Sequence, residues 1–141
     1  MKKIIWFIFI IYILIILKLT IFRFNVHYAE RQLNLTLFAD LIKTYKNTGI
    51  QEFLRLFLGN IGWFVPFGFL LPILLKRKNI LTVIIWGAVF SFCIETTQFI
   101  FRKGVAELDD LILNVVGVVI GYFMYTVFAE RAARAQSGLV S

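Results

Sequence analysis

Between Ser91 and Gly121 two apolar segments, each long enough to cross a bilayer, carry acids and amides at helical spacing. Ser91, Glu95, Gln98 and Arg102 fall at i, i+4, i+7 and i+11, one narrow face at 100° per residue. Asp110, Asn114, Gly117 and Gly121 repeat that spacing in the next segment. A carboxylate turned to lipid costs roughly 2.5 kcal/mol or more at mid-membrane, so both stripes are expected to look inward, toward each other or a shared cavity.

The remaining sequence fixes the class. Of 141 residues, 60% are hydrophobic, where a soluble domain holds roughly 45–50% apolar residues. The spacing of apolar runs predicts an all-α membrane protein, a bundle of four transmembrane helices in a single domain over residues 1–128, with spans at about 4–24, 53–75, 80–101 and 111–128. Residues 129–141 read as a cytoplasmic tail, ending in a linker-like stretch that is expected to be partly a remnant of expression. The formal charge of +7 accompanies no basic helix or aromatic-basic platform outside the spans, which argues against nucleic acid and for anionic lipid headgroups as counter-charge. Cys93 is the only cysteine, so neither an intrachain disulfide nor a cysteine-based metal site is expected; it reads as a small core residue.

Met1-Lys2-Lys3 and the apolar run after it resemble a signal peptide, but no small-residue cleavage site follows, and the run is expected to stay as the first span. In the polar segment that follows, Phe38, Leu41, Ile42 and Tyr45 share one helical face and Gly49 is a natural stop. This predicts a short amphipathic interfacial helix between spans 1 and 2, either a tethered connector or a lid over the polar stripes. His27, the only histidine, reads as an interfacial residue. The second span holds Asn60, and Pro66 predicts a mid-span kink by removing one backbone donor. The basic cluster Lys76-Arg77-Lys78 together with Lys2 and Lys3 places both termini in the cytoplasm by the positive-inside rule.

With that orientation Asn60, Glu95 and Asn114 lie at a common depth of about 10 Å below the outer face. The candidate binding residues are Asn60, Glu95, Gln98, Arg102, Asp109, Asp110 and Asn114, with Asp109 also expected to cap the fourth helix and Gly117 and Gly121 to form a packing seam. No catalytic residue is assigned and no metal or other cofactor is expected.

Asn60 ahead of Pro66-Phe67-Gly68-Phe69-Leu70-Leu71-Pro72, then Ile94-Glu95 with Gln98, then Asp109-Asp110-Leu111-Ile112-Leu113-Asn114 leading into Gly117 and Gly121, resembles the VanZ-like family of small bacterial membrane proteins. The resemblance spans Arg31 to Tyr122, with Leu37 where the family pattern has proline and Glu107 where it more usually has aspartate. It implies a multi-pass protein of the bacterial plasma membrane, associated with the cell envelope and with reduced susceptibility to teicoplanin-type glycopeptides. It supplies no reaction. The residues themselves favour a protein that binds or remodels an outer-leaflet lipid or lipid-linked cell-wall intermediate, with Arg102 and Lys103 drawing its phosphate. Two alternatives stand beside it: a metal-assisted transferase or hydrolase on a lipid-linked substrate, using carboxylates to hold Mg²⁺, and a structural bundle in which the stripes only bond helix to helix.

Overall fold

The structure, a computed structural model, describes residues 2–20, 28–75 and 79–137. Among the described residues four helices are long and apolar enough to cross a membrane: α1 (Lys2–Thr20), α3 (Ile50–Leu75), α4 (Ile80–Phe101) and α5 (Leu108–Ser137). The short α2 (Ala39–Thr48) lies between α1 and α3 in the chain, and two short strands, β1 (Gln32–Asn34) and β2 (Val105–Glu107), complete the elements.

Packing is tightest where α3 meets α5. A Cβ placed on Gly117 or Gly121 would collide with the carbonyl oxygens of Ile61 and Val65, and one on Gly68 with that of Val118, so the two backbones are in contact. Small residues permit this approach, and in lipid, where burial adds little between helices, such close contact is a main source of association. Val118, fully buried, also meets Gly87 of α4 and so sits at the junction of three helices. Around it Phe64, Phe67, Val83, Ile94 and Tyr122 form the core, and Phe67 stacks on Phe90 with ring centroids 5.4 Å apart. α3 continues through Pro66 and Pro72 as one helix.

α1 is attached more thinly. Ile16 is its one buried residue among those described, while Ile4, Phe7, Ile8, Ile11 and Leu14 stay exposed, as a lipid-facing helix requires. The Tyr12 hydroxyl anchors it to α3, donating to the Trp63 carbonyl at 2.6 Å.

At the end of the bundle where α1 finishes and α3 and α5 begin, the connections fold over one another. β1 pairs in parallel with β2, Leu33 opposite Ala106, which ties the chain after α1 to the turn between α4 and α5. Tyr28 N donates to the Arg102 carbonyl at 3.0 Å and Arg102 Nη1 donates to Ala29 O at 3.0 Å. α2 stops at Gly49, whose φ of 86° lets the chain turn directly into α3. Leu41 is buried beneath α2, whereas Phe38, Ile42 and Tyr45 remain exposed.

Several sequence expectations are refined. The strand pair was not foreseen, because three-residue strands carry too little alternation to register. α3 begins one turn before residue 53, and α5 begins at Leu108 and continues to Ser137, through the Ala/Arg-rich stretch taken for a tail, since alanine and arginine are strong helix formers. Cys93 is exposed on α4, not a core residue, because the inward face there belongs to Ser91, Ile94 and Glu95. The basic cluster at 76–78, His27 and the far end of the expected first span lie outside the described residues.

A packing variant tests this arrangement. Gly121→Val, which drives a branched side chain into the α3 backbone, is expected to destabilise the detergent-solubilised protein by about 1–3 kcal/mol or more in a thermal melt. Gly59→Ala, where nothing lies within 4 Å of the added carbon, is expected to leave the melt unchanged or raise it, by at most about 1 kcal/mol.

Candidate functional site

The α3–α5 contact sets Asn60 beside the first turns of α5, and its Nδ2 donates to Asp110 Oδ1. Glu95, one turn beyond Ser91 on α4, is 7% exposed, and its Oε2 accepts from the Glu107 backbone N–H at 2.9 Å. Asn114 Nδ2 donates to Ser91 Oγ at 2.9 Å, joining α4 to α5 at a buried position. Gln98 Nε2 donates to the Thr20 carbonyl at 3.1 Å, closing the end of α1 against α4.

These groups surround a cavity of about 450 Å³. Its polar lining comprises Asn60, Glu95, Gln98, Asp110 and Asn114, with Arg55, Thr20, Leu19, Trp63, Phe64 and Ile94 completing the wall. Leu19 and Trp63 are exposed at its rim, while Phe64 and Asn114 are buried. A second cavity of about 200 Å³ lies under α2, where Leu41, Thr44 and Leu56 meet Tyr28 and Glu107, and it shares Asn60, Gln98 and Asp110 with the first. The shared residues make one polar layer with an apolar-rimmed chamber on one side and a chamber beneath α2 on the other.

Five of the seven candidate residues therefore line one cavity: Asn60, Glu95, Gln98, Asp110 and Asn114. Two do not. Arg102, in a left-handed conformation with φ 55°, directs its guanidinium to the Ala29 carbonyl and fastens the end layer. Asp109 is 2% exposed and its Oδ1 accepts from Phe38 N at 2.8 Å, which holds the start of α2; its Oδ2 has no hydrogen-bond partner among the described residues. Asp109 stands in the first turn of α5, since β2 leads straight into a helix starting at Leu108, so it serves the neighbouring segment in place of the expected cap. Gly117 and Gly121 leave the polar stripe and pack on α3.

Arg55 was missed by sequence reading. It lies five residues before Asn60, about 140° away around the helix, so no periodicity connects the two. It pairs with Glu52, Nε to Oε2 at 2.8 Å, with its side chain 69% exposed. Among the described residues no three His, Cys, Asp or Glu side chains converge in the manner of a metal site. The lining instead offers carboxylate and amide oxygens inside and a guanidinium at the edge.

Among the described residues, four long apolar helices around a polar cavity at one end of the bundle are the architecture of a multi-pass membrane protein. The profile of the VanZ/LLP1 family matches residues 9–129, and the chain belongs to that family. It is 31% identical over 121 residues to Protein VanZ of Enterococcus faecium, covering 82% of this chain and 69% of the relative. No solved structure matches it.

The Asp109–Phe38 bond generates a test. Asp109→Ala is expected to speed hydrogen exchange at the amides of Phe38 to Ile42 by about tenfold while α4 amides keep their protection, and Asp109→Asn, which keeps an acceptor oxygen, is expected to preserve most of the parent's protection.

Proposed function

We propose that the cavity binds the headgroup of an outer-leaflet lipid or lipid-linked cell-wall component. The observation that carries this reading is the pairing of a polar floor, Glu95, Asp110, Asn60 and Asn114, with a rim of exposed apolar side chains, Leu19 and Trp63, in one chamber. A headgroup needs the first and its acyl chain the second. Both termini are assigned to the cytoplasm of a bacterial cell, which turns the cavity toward the outer leaflet of the plasma membrane and lays α2, through Phe38, Ile42 and Tyr45, along the interface. Arg55 takes the phosphate-attracting role first given to Arg102 and Lys103, because it reaches the cavity.

Sequestering or altering an envelope lipid links the chain to reduced susceptibility to teicoplanin-type glycopeptides. In cells lacking their own copy, Glu95→Gln and Asn114→Ala, expressed at the parent's level, are expected to lose the protection that the parent confers. Full protection by both variants overturns the cavity reading. A melt that drops sharply for each variant, with no lipid retained by the parent, favours a purely structural role for the same bonds.

A further inference from the structure

The three amides of the polar layer all turn their nitrogens to acceptors within the protein: Asn60 to Asp110, Asn114 to Ser91 and Gln98 to Thr20. Each of these bonds commits one amide N–H, and beside the amides the lining presents the carboxyl groups of Glu95 and Asp110 to an incoming group. Two carboxyl groups face one low-dielectric chamber, and a cation between them favours their ionised forms. An ammonium, with three donors and no acceptor, matches such a set. The complementary charge sits higher: Arg55 precedes Asn60 by five residues, about 7–8 Å along the helix, and its pair with Glu52 engages Nε and Nη2. That leaves the Nη1 edge for an anion.

Resting on the reading of this cavity as a headgroup site, we infer that its ligand is a phospholipid bearing a primary amine, the ammonium held between Glu95 and Asp110 and the phosphate at Arg55. The assignment selects among lipids by chemistry. A phosphate with no cation brings the two carboxyl groups nothing of opposite charge, and a quaternary ammonium keeps the charge but cannot donate hydrogen bonds.

The test is native mass spectrometry of the purified protein, delipidated and then equilibrated with phosphatidylethanolamine, phosphatidylcholine or phosphatidylglycerol of identical acyl chains. Phosphatidylethanolamine is expected to be retained at least about tenfold more than either of the others. Glu95→Gln and Asp110→Asn, which keep an acceptor oxygen for Glu107 N and for Asn60, are expected to lower its retention to the phosphatidylcholine level. Arg55→Gln, at an exposed position, is expected to weaken all three. Soluble phosphoethanolamine at equal concentration is expected not to displace the lipid; displacement overturns the assignment to a membrane ligand. Equal or stronger retention of phosphatidylglycerol that is still lost in Glu95→Gln overturns the amine assignment and leaves the headgroup site standing. Retention of no lipid by the parent overturns both.

Discussion

Where α3 and α5 cross, Gly68, Gly117 and Gly121 let two backbones touch, and the height at which Asn60 meets Asp110 follows from that crossing. A side chain at any of the three would push the helices apart and separate the amide from its carboxylate. α4 then joins through Gly87 and Val118, which brings Ser91 to Asn114 and Glu95 to the start of α5. The polar layer is thus a by-product of apolar close packing a few turns away.

A layer of this kind survives in a membrane only if its groups are satisfied, because lipid offers no hydrogen bonds. The bonds from Asn60, Gln98 and Asn114, and from Glu107 N to Glu95, each link different elements, so satisfaction and assembly are the same event. The end layer extends the principle to the backbone: β1 pairs with β2, Tyr28 with Arg102 and Phe38 with Asp109, leaving irregular chain covered by its own partners at the bundle's end.

Much of this was legible in the sequence. The inward stripes were readable because acids in apolar runs have few tolerable directions, and residue counts from the span ends grouped Asn60, Glu95 and Asn114, which line one cavity. The use of Gly117 and Gly121 as a seam followed from their spacing, whereas Gly59 and Gly62, equally glycines in a span, touch nothing within 4 Å of a Cβ position. What sequence could not show was reach and tertiary choice. Arg55 enters the cavity from a flank that helical periodicity does not mark, Asp109 spends its carboxylate on a segment 71 residues away, and Arg102 is drawn to a backbone carbonyl of the crossing chain. Each depends on how remote segments meet, which local patterns do not encode.

Asp109 and Asp110 are consecutive, yet one holds α2 and the other faces the cavity. A single peptide unit in the first turn of α5 is thus the fulcrum of both arrangements. Any tilt of that turn which moves Asp110 in the cavity wall also carries the acceptor that Phe38 rests on. The start of α2 and the wall of the cavity thus share one rigid turn.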